Sequence, residues 1–214
     1  LRARNFGTPS EATVLPRGFD LASRRERLAD HRYILTMPFS ITFLGTGTSQ
    51  GVPVIGKAYP PEFLANPKNH RMRPSIYIET AQIKLVVDTT PEFRLQMLRA
   101  RIRWIDAVIF THSHADHVMG FDDLRPLSFH AKGNLPIYAD ETTASDIERI
   151  FDYTFRKVER YPTSARVEMH RIDSTPGAGF DLFGARFQRI PVTHGRQQIT
   201  GYRFGSAAYL TDMS

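Results

Sequence analysis

The chain has no cysteine among its 214 residues. Disulfides and thiolate metal sites are therefore both excluded, and a metal ion would have only His, Asp or Glu to hold it. Apolar runs long enough to cross a bilayer are also missing. The N-terminal stretch is Arg-rich and lacks the apolar segment of a secretory signal. A reducing cytoplasm is compatible with these features and is the expected compartment. A strong basic stripe is absent as well. The net charge of +6 divides evenly: residues 1–36 hold seven Arg against four acids, and the remainder holds 21 basic and 18 acidic residues. A body this mildly basic suits a small anionic substrate, and nucleic acid is not the expected partner. No internal repeat or low-complexity tract is visible. The length allows one domain with a substantial core.

Residues 1–36 differ from the rest. They carry Pro9, Pro16, Gly7, Gly18 and the run Arg24-Arg25-Glu26-Arg27, without sustained strand alternation, and residues 20–29 allow a short helix. Met37 reads as the native start, with the preceding segment an upstream extension that is poorly ordered; a genuine N-terminal appendage is the alternative. From Met37 to Ser214 the pattern is strand-rich. Ser40–Leu44 reads as a strand leading into the loop Gly45–Gly51, and Ser75–Thr80 with Ile83–Asp88 reads as a hairpin. Pro91–Ala100 reads as a helix with Phe93, Met97 and Leu98 at helical spacing. Asp106–Phe110 is a buried strand, Leu135–Ala139 another. Glu141–Phe151 is a helix with Ile147, Ile150 and Phe151 inward. Ala185–Pro191, Thr200–Phe204 and Ala207–Thr211 are further strands.

The string Thr111-His112-Ser113-His114-Ala115-Asp116-His117 carries the chemistry. It places three imidazoles and a carboxylate directly after the apolar run Ala107–Phe110. These are ligand types that zinc and similar divalent ions prefer. In an extended loop, residues two apart point the same way, so His112 and His114 can grip one metal. Asp116 and His117 follow on the turn and can reach a second. His194 and Asp212 each lie at the end of a later strand. A coherent site has His112, His114 and His194 on one metal, Asp116 and His117 on the other, and Asp212 between them. Two such metals would be zinc or manganese. A hydroxide held between them is a nucleophile at neutral pH, because metals lower the pKa of bound water to roughly 7. Asp116 is the candidate for proton transfer.

This ordered set resembles the dinuclear metallo-β-lactamase superfamily, and the resemblance spans Phe39 to Asp212. Phe43-Leu44-Gly45-Thr46-Gly47-Thr48-Ser49-Gln50-Gly51-Val52-Pro53 and Gly120-Phe121-Asp122-Asp123-Leu124-Arg125-Pro126 look more narrowly like the branch of phosphoribosyl 1,2-cyclic phosphate phosphodiesterases, close to the tRNA 3′-processing endonucleases. The resemblance implies an α+β, four-layer αββα sandwich with metals at one edge of the two sheets. It implies the six ligands in the roles given above, and it makes Asp88 an acceptor that orients a metal-bound His. A simple strand-end cap is the other reading of Asp88. The Gly45–Gly51 loop is either a tight turn or a phosphate cradle. Arg125 is either a phosphate contact or half of a structural Asp–Arg pair, and His130 is a candidate for the substrate rim. His31, His70 and His170 have no ligand spacing.

Two departures from that branch stand out. The cysteine-rich insert after the Gly-Val-Pro loop is replaced by Lys57-Ala58-Tyr59-Pro60-Pro61-Glu62. A further C-terminal His has no counterpart before Ser214, so the second half of the sandwich reads as incomplete and the chain as truncated. The expected activity is hydrolysis of a small cyclic phosphodiester. A tRNA 3′-processing-type endonuclease and an inactive metal-binding fragment are the alternatives. A homodimer is left open.

Overall fold

The computed structural model describes residues 38–131 and 133–213. The readings made for residues 20–29, His31 and Met37 lie outside them. Two sheets face each other. The larger follows the order β1 (Phe39–Gly45), β2 (Ser75–Thr80), β3 (Lys84–Val87), β4 (Ala107–Ile109), β5 (Leu135–Ala139) and β6 (Val167–Arg171). Its first three strands are antiparallel, and β3 to β6 run parallel. Parallel neighbours need crossover connections. Those crossovers carry the helices α2 (Phe93–Arg99), α3 (Ala115–Val118), α4 (Arg125–His130), α5 (Glu141–Ile150) and α6 (Asp152–Phe155). A short α1 (Pro61–Ala65) lies in the connection between β1 and β2. The smaller sheet is antiparallel, in the order β10 (Ala207–Tyr209), β9 (Gln197–Phe204), β8 (Ala185–His194), β7 (Gly179–Leu182).

Strand alternation divides the core into two halves. Ile76, Ile78, Leu85, Val87, Ala107 and Ile109 face the second sheet and pack on Leu182, Phe187, Tyr202 and Phe204. Tyr77, Val86, Val108 and Ile137 face the helices and pack on Phe93, Met97, Phe121 and Ile147. Central strands covered on both faces read as continuous apolar runs, which is why β4 was legible as a buried strand. Among the described residues the layers are therefore helices, sheet, sheet. A mixed α+β architecture with two facing sheets agrees with the expected sandwich, and the second outer helical layer is not seen among those residues.

The differences in detail have physical reasons. Leu98 does not face inward; it is 60% exposed, while Phe93 and Met97 are buried. A helix turns 100° per residue, so residue 98 has rotated off the face that 93 and 97 share. Strand β8 runs on to His194, three residues past Pro191, because its ladder with β9 continues through His194↔Gln197. Strands β6 and β7 escaped the sequence reading: β6 reads Val-Glu-Met-His-Arg and β7 reads Gly-Phe-Asp-Leu, both at sheet edges with polar positions facing out. Gly45 ends β1 where a side chain cannot fit, since a Cβ there would lie 1.9 Å from the Arg73 carbonyl oxygen.

The inward face of α2 gives a direct test. Met97→Ala should cost about 2–5 kcal/mol by chemical denaturation. Leu98→Ala should stay within about 0.5 kcal/mol of the parent. Equal losses would contradict the orientation of this helix.

Candidate metal centre

Strands β3 and β4 end side by side, and each hands a chain segment to the same edge of the sheet. After β3 comes Asp88, fully buried, with a positive φ of 66°. Asp tolerates this left-handed conformation better than most residues. The turn aims its carboxylate at the segment that follows β4. One oxygen accepts from the Thr111 backbone N–H at 2.8 Å. The other accepts from the Thr111 hydroxyl at 2.7 Å and lies 2.7 Å from His117 Nδ1. Backbone bonds close the arrangement: Thr89 N–H donates to the His117 carbonyl at 2.8 Å, and Gly120 N–H donates to the Thr89 carbonyl at 2.9 Å. A Cβ at Gly120 would lie 2.0 Å from the Thr90 carbonyl oxygen, so only glycine permits that approach.

These contacts set which ring nitrogen each histidine presents. The Thr111 hydroxyl has one proton and gives it to Asp88. Toward His112 Nδ1, 3.0 Å away, it must therefore accept. His112 then carries its proton on Nδ1 and turns a bare Nε2 outward. His117 likewise gives its Nδ1 proton to Asp88, leaving Nε2 for the site. Both Nε2 atoms are buried; that of His112 has no hydrogen-bond partner, and that of His117 has only carboxylates beside it. Buried polar atoms are seldom left unpartnered, and a bare imidazole nitrogen beside a second one ringed by carboxylates suits a cation.

The other expected ligands converge on these nitrogens. Donor atoms of His112, His114 and His194 lie within 4.8 Å of one another, and so do those of His112, His117 and Asp212. The carboxylate of Asp212 stands 2.8 Å from His117 Nε2 and 3.9 Å from His112 Nε2. Asp116 comes within 3.3 Å of His117 Nε2. Asp212 also has a positive φ, 51°. Two carboxylates in strained backbone at one edge fit a site whose geometry is held by its surroundings. His112 and His117 are buried, His194, Asp116 and Asp212 are partly covered, and His114 is exposed.

The electrostatics follow from this crowding. Burial, reinforced by the neighbouring His117, lowers the His112 pKa to about 4, so this ring is neutral. Burial works against charge on His117 too. There the Asp88 charge, with hydrogen bonds donated to Asp116, Asp212 and Asp88, outweighs it and raises the pKa to about 12. The hydrogen bond to His117 is the main reason that Asp212 falls to about 2. For Asp116, burial pushes upward, but the bond and charge of His117 prevail and the net shift is downward. The surrounding carboxylates thus demand a positive charge at this point. A proton on His117 supplies one, and a divalent cation on the bare nitrogens would supply more.

Some expected residues are placed elsewhere. Arg125 is spent on structure: its Nε donates to the Thr163 carbonyl at 2.7 Å, and its Nη1 donates to Asp122 at 3.2 Å. Tyr153 donates to the same Asp122 at 2.9 Å. The partner is Asp122 rather than Asp123, and the pair holds the loop after the cluster. His130 is exposed and lines a cavity with Phe93, Met97, Ile102 and Asp123, which none of the six cluster residues reaches. The substrate roles expected for Arg125 and His130 therefore do not fit their positions. Within the Gly45–Gly51 loop, Gly47 N–H donates to the Met72 carbonyl at 2.7 Å and Gly51 N–H to the Thr48 carbonyl at 2.8 Å. Those two amides are committed internally, as in a turn.

Sequence reading missed a second support. The side chain of Arg189 is almost wholly buried. It donates to the Thr200 hydroxyl at 3.1 Å, and that hydroxyl donates to Asp140 at 3.0 Å. Asp140 also caps α5 by accepting from Thr143 N–H at 2.9 Å. The Thr200 N–H donates to the Thr111 carbonyl at 3.0 Å. Tyr202 donates its hydroxyl to the Phe110 carbonyl at 2.6 Å. The second sheet thus grips the residues just before His112. The only hint in the sequence was Asp140 standing ahead of a helix.

Two facing sheets with a His/Asp cluster at their common edge define a metallohydrolase-type scaffold. The model of the β-lactamase superfamily domain matches residues 84–214. The chain belongs to the metallo-β-lactamase superfamily. A solved structure described as a new diphosphatase from the PhnP family is similar at 42% identity and a TM-score of 0.72, covering 83% of this chain and 68% of that one. Zinc-bound PqqB from Methylobacterium extorquens shares the fold at 17% identity and a TM-score of 0.54, over 80% of this chain and 63% of that one. Among curated relatives, an octanoyltransferase of Porphyromonas gingivalis is 36% identical over 79% of this chain and 34% of that protein. A ribonuclease Z of Bradyrhizobium diazoefficiens is 31% identical over 40% of this chain and 24% of that protein. The chain spans about a third and a quarter of the lengths of these two proteins. None of the helices among the described residues is long and apolar enough to cross a membrane.

Removing the Asp88 charge tests the geometry. Asp88→Asn in metal-free protein should cost about 3–5 kcal/mol by urea denaturation, because it removes the buried carboxylate to which the charged His117 ring donates from Nδ1. A loss below about 1 kcal/mol would show that Asp88 is a simple strand-end cap.

Proposed function

We propose that the chain is a divalent-metal-dependent phosphodiesterase domain whose substrate is a small cyclic phosphodiester such as phosphoribosyl 1,2-cyclic phosphate. The observation that carries this reading is the pair of buried Nε2 atoms of His112 and His117, set among the carboxylates of Asp116 and Asp212 and the imidazoles of His114 and His194. His112, His114 and His194 would hold one ion, Asp116 and His117 a second, and Asp212 would stand between them. Zinc and manganese both suit this nitrogen and oxygen donor set. Bound there, two such ions supply Lewis acidity: they acidify water and neutralise charge on phosphoryl oxygens.

The chain's own residues do the rest. Asp88 and the Thr111 hydroxyl keep both Nδ1 atoms protonated, so both rings aim Nε2 into the site: a bare lone pair on His112, and on His117 an atom that a metal would take in exchange for a proton. Asp116 is ionised, partly exposed and beside His117, which fits it to accept a proton at a carboxylate oxygen as water is consumed. Phosphodiester chemistry is favoured by similarity to the PhnP-family diphosphatase, of which this chain covers 68% at 42% identity. The ribonuclease Z match extends over only 88 residues. Octanoyl transfer is not carried over, because only 34% of that protein aligns.

The test is elemental analysis with hydrolysis of bis(p-nitrophenyl) phosphate by the full chain. About two metals per chain and turnover abolished by chelator are expected. His114→Ala and Asp212→Asn should each lower kcat/KM by about 100-fold or more, the loss expected when charge stabilisation at the reacting centre is removed. One weakly held metal without turnover would make the chain an inactive metal-binding fragment. Metal content unchanged in His114→Ala would remove the ligand assignment.

A further inference from the structure

We propose that the hollow between the histidine loop, the first half of α5 and the β8–β9 turn seats a neutral, hydroxyl-bearing group of the substrate, such as a sugar, and that Asp146 selects for it by accepting hydrogen bonds from its hydroxyls. The inference rests on the reading of the histidine cluster as a metal centre that takes a phosphoryl group. The hollow measures about 360 Å³, within the range of small-ligand sites. Its place is set by His112, which lines it and also belongs to the metal centre. The His112 side chain is only 5% exposed, and its Nε2 has no hydrogen-bond partner. Gln197, which also lines the hollow, is the ladder partner of His194. A phosphoryl group held at the cluster therefore has this hollow beside it.

The lining decides what fits there. None of its nine residues is Lys or Arg, so a second phosphate in the hollow would lack a cation and would face two carboxylates. Ile199 is the one aliphatic hydrocarbon side chain among the nine, which leaves little for an apolar group to pack on. Thr142, Gln197 and Gln198 supply neutral groups that both donate and accept, as hydroxyls require. The two carboxylates differ in role. Asp140 is buried and serves the fold, accepting from Thr143 N–H at 2.9 Å and from the Thr200 hydroxyl at 3.0 Å. The side chain of Asp146 is 34% exposed. One of its oxygens accepts from the Ser113 hydroxyl at 2.7 Å and the other from the Arg149 guanidinium at 3.0 Å, so each oxygen keeps room for a further donor. Those bonds, the one from Ser113 first, hold its carboxyl below the usual range, and an ionised acceptor makes the stronger hydrogen bond. Ser113 stands between His112 and His114, so the same bond fixes the acceptor relative to the cluster.

The test is calorimetric titration of the zinc-loaded full chain with ribose 1-phosphate and with methyl phosphate, which share the phosphoryl group and differ in the hydroxyls. Ribose 1-phosphate should bind about tenfold more tightly. Asp146→Ala, a replacement that a helix accepts, should bring the two affinities within about twofold of each other. Arg149→Gln leaves the carboxylate in place and should keep the preference. Equal affinities in the parent overturn the proposal, as does absence of binding by ribose 1-phosphate. A preference that survives Asp146→Ala, or that is lost in Arg149→Gln, overturns it too. Hydrolysis of bis(p-nitrophenyl) phosphate, followed on the same sample, separates this inference from the reading beneath it. Turnover with equal affinities removes the sugar site alone. A preference that depends on Asp146, without turnover, supports the sugar site and removes the phosphodiesterase reading.

Discussion

One buried carboxylate organises this molecule's working edge. Asp88 has no contact with solvent and collects three donors: the Thr111 amide, the Thr111 hydroxyl and the His117 ring. Burying a charge is costly unless it is paired and fully hydrogen-bonded. The fold meets that condition by ending two adjacent parallel strands at the same level and joining them through this residue. The left-handed backbone at Asp88 is a strain of order 1–3 kcal/mol. The three bonds formed by its side chain offset it. Everything downstream inherits the result, because orientation of His117 by Asp88 and of His112 by Thr111 decides that both rings turn Nε2 into the site.

The second sheet closes the edge from the other side. Thr200 and Tyr202 of β9 bond the Thr111 and Phe110 carbonyls, and β8 delivers His194 at its last residue. The histidine loop is therefore held between two sheets that also share an apolar core around Phe187, Tyr202 and Phe204. Interlocking of this kind suits a centre in which ligands from three separate segments must meet within a few ångströms. It also accounts for the electrostatics: carboxylates are concentrated where water is excluded, and the cluster calls for positive charge.

Much of this was legible in the residues. A continuous apolar run announced β4, the hairpin pattern announced β2 and β3, and the spacing from His112 to His117 announced a ligand loop. His194 and Asp212 stood out by ending strands. What stayed hidden was pairing between distant segments. Nothing local marks Thr111 as the hydroxyl that links Asp88 to His112, or Arg189 as the buried partner of Thr200 and Asp140. Arg125 was ambiguous for the same reason. Its neighbours Thr163 and Asp122 decide its role, and Thr163 lies 38 residues away. Leu98 was misplaced because an apolar residue beside an inward one need not face inward. Edge strands β6 and β7 carry mixed polar patterns that periodicity alone does not separate from loops.

The central claim is that the Nε2 atoms of His112 and His117 are metal-binding atoms held ready by Asp88 and Thr111. Anomalous X-ray diffraction at the zinc and manganese edges, from crystals of the metal-loaded protein, addresses it most directly. The account predicts metal peaks at about 2.0–2.1 Å from these two nitrogens if the metal is zinc, with both Nδ1 atoms still bonded to Thr111 and Asp88. Metal-loaded crystals with no peak near either nitrogen, or with the rings turned so that Nδ1 faces the site, would contradict it.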